Sequence, residues 1–393
     1  KSLSLSPQLI GFGFADYDAY WKAKTDTAPE EINSDKTARQ NTTNMLDIWQ
    51  AQHPPFPYLL LAIPYILTIP AGFYVQILVL RLVCVGLTLV GLWVSWKALE
   101  RLQVSSQARL FGFIAVVLAP MFFVHFGRIS NEPVTFLLFS IVWYFLLGLL
   151  TKQPLKNWQL LACGLVYGLG FISKIFFASA LPAVLIILAV DFFSHHTRVE
   201  WVARLKSYSL MFTGLVMLAV PWLLYQRFGP VTAGVGFSSQ LSLSTLLSSM
   251  KDMDWVGFFR EIFLNFAGLF GWSFLRTAPW FYKFQIAFWL VTLLGLIRLR
   301  GAQLKVAICA LLFPLSLTAG MAYYNLQFHA LTITGGWYFY SMGAMLATLL
   351  ALSWGKLIRD RWLLVLALLL AWAHSLYLLW MLFKLMLPVY YAV

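Results

Sequence analysis

From residue 56 onward the chain is a succession of apolar runs separated by short charged loops and Pro/Gly punctuation. In hydrocarbon every backbone N–H and C=O must find its partner within the protein, so such runs can only be helices or the strands of a closed barrel. Helical runs bounded by charge are expected at 74–96, 110–126, 133–151, 157–173, 175–193, 207–226, 281–297, 306–322, 336–355 and 362–386. That makes an all-α polytopic membrane protein with ten spans. Only 11% of the 393 residues are charged and 61% are hydrophobic, where a soluble domain carries about a quarter charged residues. Residues 56–70 are shorter, contain Pro57, Pro64 and Pro70, and read as a re-entrant or interfacial segment rather than a span.

The short loops separate by charge. Those at 97–109, 152–156, 194–206, 298–305 and 356–361 hold Lys97, Arg101, Arg109, Lys152, Lys156, Arg198, Arg204, Lys206, Arg298, Arg300, Lys305, Lys356, Arg359 and Arg361, whereas the alternate short loops hold Arg128 and Lys174. Basic residues stay on the cytoplasmic side. The first set is therefore read as cytoplasmic, and residues 1–55, the long 227–280 loop and the C-terminus as extracytoplasmic or lumenal. The net charge of +13 then reports topology and not a nucleic-acid partner. An external start calls for a helix upstream of Lys1, an eleventh span. The expected organisation is a first external loop with its interfacial segment (1–73), helices (74–226), an external loop with an interfacial helix (227–280) and further helices (281–393). Cys84, Cys163 and Cys309 lie in separate apolar runs and show neither disulfide nor metal spacing.

Charges at membrane depth are costly and default to function. Arg81 lies inside the first span; Arg128, Asn131 and Glu132 stand at an outer helix mouth; Lys174 occupies a tight outer hairpin; Asp47 and His53 precede the proline-rich segment. All fall on the outer side. Each has a plainer role as well. Arg81 can snorkel, Asn131 and Glu132 can cap and charge-match a helix start, Lys174 can anchor topology and His53 can bond a loop carbonyl. Together they surround one external, membrane-edge cavity. Its cations could hold a lipid phosphate and its carboxylates could activate a hydroxyl. No P-loop, GxGxxG or HExxH pattern occurs.

The order of the segments "HPPFPYLL", "LRLVCVGLTLVGL", "GRISNEPVTFLLFSIVWYFLL", "LACGLVYGLGFISK", "FAGLFGWSFLRTAPWFYKF" and "GGWYFYSMGAMLATLLAL" resembles the GT-C superfamily of polyprenyl-phosphate-sugar-dependent glycosyltransferases. Protein O-mannosyltransferases and lipid A aminoarabinose transferases belong to that superfamily. The resemblance implies an inverting transfer on the outer face, from a lipid-linked sugar phosphate in the membrane to an acceptor of unassigned identity. It implies Asp16 or Asp18 in "FADYDAYW" as base, with His53 shaping the acceptor side. It gives Lys174, with Arg81 or Arg128, the donor phosphate, and lines the site with Asp47, Asn131, Glu132, Trp337 and Tyr338. No cofactor is assigned, and a divalent metal stays open. Two departures stand out: Asp-Tyr-Asp replaces the usual Asp-Glu, and Trp337 stands where relatives offer an arginine. They motivate a second reading, a non-catalytic subunit of a larger membrane complex. A third, a lipid-linked sugar transporter, is disfavoured by the lack of internal repeats.

Overall fold

A computed structural model describes residues 54–119, 121–122, 126–153, 155–194, 197–228, 243–270, 275–328 and 335–386. The candidate residues Asp16, Asp18, Asp47 and His53 lie outside the described residues.

The apolar runs fold as helices: α1 Phe56–Thr68, α2 Phe73–Leu99, α3 Ser106–Val117, α4 Glu132–Leu150, α5 Asn157–Phe171, α6 Phe176–Phe192 and α7 Arg198–Phe228. After these come α8 Leu243–Asp252, α9 Trp255–Gly268, α10 Pro279–Ile297, α11 Gly301–Phe328, α12 Gly343–Leu357 and α13 Asp360–Met381. Among the described residues the only strands are the two-residue pair β1 Leu269–Phe270 and β2 Leu275–Arg276, antiparallel. Among the described residues six helices (α2, α4, α7, α10, α11 and α13) are long and apolar enough to cross a membrane.

Several boundaries depart from expectation. Helix α3 stops at Val117, short of the expected 126, three residues before Pro120, which cannot donate to a continuing helix. Helix α7 begins at Arg198, ahead of the expected 207, so the basic loop residues Arg198, Arg204 and Lys206 are helical. The 336–355 run is two elements, a 3-10 segment Gly336–Met342 followed by α12. The proline-rich 56–70 stretch is not broken: Pro57 sits in the first turn of α1, where a missing N–H costs nothing. Pro64 is carried within the helix. At 13 residues α1 reaches only about 20 Å, short of the ~30 Å hydrocarbon core. It turns through a 3-10 segment Ile69–Ala71 and Gly72, at φ 85, into α2.

Helix α4 is the centre of the bundle, with 83% of its apolar window buried inside the protein. Its Phe139 stacks on Phe177 of α6, ring centroids 3.8 Å apart, and Trp143 donates to Thr348 Oγ1 of α12 at 2.9 Å. Lipid gives helices no hydrophobic reason to associate, so small residues and polar bonds must hold them. The α5–α7 contact shows this. A Cβ on Gly164 would lie 1.9 Å from the Met211 carbonyl oxygen, and one on Gly214 would lie 2.7 Å from that of Leu161. The three cysteines are buried and free.

The five basic loops meet at one end of the bundle. Gln303 donates to the Gln103 carbonyl at 3.1 Å, Lys305 to Ser194 Oγ at 3.0 Å, and Ser105 to Asp360 Oδ1 at 2.6 Å. Arg101 lies over the Tyr144 ring and against Gly148, which also meets Leu155. Helix α4 runs from this end to Glu132 at the other, about 28 Å away for its 19 residues. The predicted separation of basic from nearly uncharged loops is thus also a separation in space.

Candidate functional site

At the end opposite the basic loops, three pieces of chain remote in sequence come together: the start of α4, the α5–α6 hairpin and the 3-10 segment Gly336–Met342. The start of α4 follows from "SNEPVT". Glu132 and Pro133 occupy the first turn, where a carboxylate suits the helix dipole and proline loses no bond. The Asn131 carbonyl accepts from Thr135 N at 3.0 Å and from Thr135 Oγ1 at 2.7 Å. The expected side-chain cap by Asn131 is absent. Its backbone is already helical (φ −83, ψ −10), whereas a capping residue is extended so that its side chain can reach back to the N2 or N3 amide. Asn131 Oδ1 instead accepts from Lys174 Nζ at 3.2 Å.

Lys174 is placed by a short turn. Its amide and that of Ser173 both donate to the Gly170 carbonyl at 2.9 Å, and the Phe56 amide at the start of α1 donates to the Ile172 carbonyl at 3.1 Å. The ammonium is buried, with the residue 9% exposed. It bonds Glu132 Oε1 at 2.8 Å and lies 4.5 Å from the Tyr338 ring centre and 4.6 Å from that of Phe176. Burial draws its pKa below the usual lysine value, and the Glu132 carboxylate opposes that pull. Arg128 approaches the same carboxylate oxygen from one turn upstream, at 3.5 Å, with its side chain 41% exposed. Trp337 packs edge-on against Tyr338.

The structure therefore brings together five of the expected site residues, Arg128, Asn131, Glu132, Lys174 and Tyr338, with Trp337 beside them. Arg81 is not joined to them. It is exposed on α2 and, among the described residues, makes no hydrogen bond or ion pair. Two contributors were not picked out from sequence. Phe176, two residues past Lys174, forms the second ring beside the ammonium. Tyr58, in the first turns of α1, has its phenol pKa raised by burial and further by the charge of Glu132.

The cluster's chemistry is asymmetric. Both cations converge on Glu132 Oε1. Glu132 Oε2, Ser130 Oγ and Arg128 Nε are buried and have no hydrogen-bond partner among the described residues. Ser130 lies close enough to Glu132 for its side chain to help hold that carboxylate's pKa low, and one Arg128 guanidinium N–H can still donate. Arg128 is partly exposed, whereas Lys174 is buried. Among the described residues no three His, Cys, Asp or Glu side chains gather as metal ligands; Glu132 and Asn131 Oδ1 are the oxygen donors at hand.

This buried, charge-paired cluster at one mouth of a helical membrane bundle lies within the stretch that carries family similarity. Residues 52–225 match the profile of the dolichyl-phosphate-mannose-protein mannosyltransferase family. No curated protein matches the sequence. Two solved structures of ArnT from Cupriavidus metallidurans, one bound to undecaprenyl phosphate and one in the apo state, are similar over 76% of this chain and 67% of theirs. They share 17% identity with it, at a TM-score of 0.36.

Proposed function

We propose that this protein is an integral-membrane glycosyltransferase that moves a sugar from a polyprenyl-phosphate donor to an acceptor on the extracytoplasmic face, with inversion. The observation that carries the reading is the convergence of Arg128 and Lys174 on Glu132 at the bundle end opposite the basic loops, inside the family-matched residues. The positive-inside rule puts that end outside the cytoplasm.

In this reading the donor phosphate binds at Arg128, and the buried Lys174 adds its field. As the sugar–phosphate bond breaks, negative charge grows on the lipid phosphate, and fixed cations stabilise it more than they stabilise the intact donor. Glu132 is not the base. A carboxylate oxygen already shared by two cations is a poor proton acceptor at neutral pH. The base is assigned to Asp16 or Asp18 and the acceptor side to His53. Sugar, acceptor and metal requirement are left to experiment.

Purified protein in detergent or nanodiscs, given a polyprenyl-phosphate sugar and a panel of acceptors, is expected to transfer sugar. Changing Asp16 and Asp18 together to Asn should abolish transfer while leaving donor binding intact; normal turnover in that variant would remove both as the base. A second reading, a non-catalytic membrane subunit, is favoured by one feature: both cations are already paired with Glu132. Failure to bind any polyprenyl phosphate, with stable co-purification in a larger assembly, would establish it.

A further inference from the structure

Two residues beyond Tyr338, Tyr340 lines a cavity between α10 and α13, bordered by α3, α9 and α12. Its volume is about 20 Å³. Most of the wall is hydrocarbon or aromatic, including Phe284, Phe288, Leu350 and Leu370. Three nitrogens stand out against it. Both ring nitrogens of His374 on α13, and Nε1 of Trp289 on α10, are buried without a hydrogen-bond partner among the described residues. His374 is 5% exposed, and the side chain of Gln285, 7% exposed, completes the polar part of the lining.

A buried polar group left unbonded is costly enough that native proteins rarely keep one. Here they are gathered on one small space. We infer that this cavity is a binding site for a single water molecule held between Trp289 and His374, linking α10 to α13. The size decides the class of occupant. One water needs at least about 10–15 Å³ measured in this way, so the space takes one water and excludes a sugar or a lipid headgroup. The lining decides its charge. Among the described residues no carboxylate, lysine or arginine borders the cavity, so an ion would find no counterion among them in a medium where that is prohibitive. Trp289 Nε1–H donates to the water oxygen, and the water donates to the unprotonated ring nitrogen of His374; two of the three nitrogens are thereby bonded, and the other ring nitrogen of His374 keeps its N–H.

The two helices already touch above the cavity, where Phe281 stacks on Tyr377 with centroids 4.3 Å apart. Below it, Phe288 stacks on Trp354 of α12 at 5.2 Å. The water closes the gap between these contacts and backs the 3-10 segment that carries Tyr338 to Lys174.

The test pairs a map of the intact protein at a resolution that shows ordered water with a double-mutant cycle. Trp289→Phe and His374→Phe each remove one end of the bridge, and His374→Gln keeps a bonding group there. The expected result is a compact density peak within hydrogen-bond distance of both side chains. Each single Phe substitution should lower the melting temperature in detergent, the double should lower it by less than their sum, and His374→Gln should lower it least. A cavity without density, strictly additive effects, or a rise in melting temperature for His374→Phe would overturn the inference. So would elongated density entering between Phe284 and Leu370, the mark of an alkyl chain.

Discussion

Two buried carboxylates stand at opposite ends of this bundle and are treated differently. Asp191, at the basic end, is 3% exposed. Its Oδ2 accepts from the Tyr208 hydroxyl at 2.5 Å and pairs with Arg204 at 3.4 Å. Its partners come from α7, the next helix in the chain, and the arrangement ties α6 to α7. Glu132, at the other end, is 5% exposed. Its main partner is 42 residues away, and one of its oxygens is left over among the described residues. The first carboxylate fastens neighbouring helices. The second assembles α4, the α5–α6 hairpin and the 3-10 segment around one buried charge pair.

The sharpest way to break this contrast is Glu132→Gln. It leaves the Lys174 ammonium buried without a counter-charge, and breaking such a pair costs about 3–5 kcal/mol. A large fall in melting temperature in detergent is expected; no change would show that the pair is not buried as described. Lys174→Met should cost less, near the lower end of about 3–5 kcal/mol, because Arg128 remains 3.5 Å from Glu132. Combining it with Glu132→Gln should recover much of the loss, since an apolar or neutral replacement of a whole buried pair is often tolerated. Thermal denaturation of the two singles and the double decides this by their coupling.

Asp191→Asn comes next, at about 1.5–3 kcal/mol for the weakened charged hydrogen bond, with donor binding unchanged. Altered donor binding there would erase the distinction between the two ends. Arg128→Ala has the smallest effect on stability, about 0–1 kcal/mol for a partly exposed ion pair. Its donor affinity should nevertheless fall at least tenfold, about 1.4 kcal/mol.

Much of the bundle is legible from hydropathy. The runs read as 74–96, 157–173, 281–297 and 362–386 appear as α2, α5, α10 and α13 within a few residues, because length and apolar content are local properties. The failures are also local in kind. Hydropathy cannot see that the 336–355 run starts as a 3-10 segment. The segment starts where α9 approaches so closely that a Cβ on Gly336 would lie 1.8 Å from the Ile262 carbonyl oxygen, a tertiary contact that hydropathy does not register. Nor can it see that the basic residues after 197 are helical.

In the site, Lys174 and Glu132 were each legible as a charge at the outer edge, but their pairing was not, since nothing in the sequence sets the approach of residues 42 apart. Asn131 shows the same limit. Its spacing before a proline and an acidic residue fits a cap, yet tertiary contact turns its side chain to Lys174. Phe176 and Tyr58 look like ordinary apolar-run aromatics until the fold sets them beside the charges.

The central claim is that the Arg128–Glu132–Lys174 cluster receives the phosphate of a polyprenyl donor. Its most direct test is equilibrium binding of a polyprenyl phosphate to the intact protein, wild type against Arg128→Ala, with Asp191→Asn as a control from the opposite end. The account predicts saturable binding that Arg128→Ala weakens at least tenfold and Asp191→Asn leaves unchanged. Equal affinity for all three proteins, or weakening by Asp191→Asn alone, would contradict it.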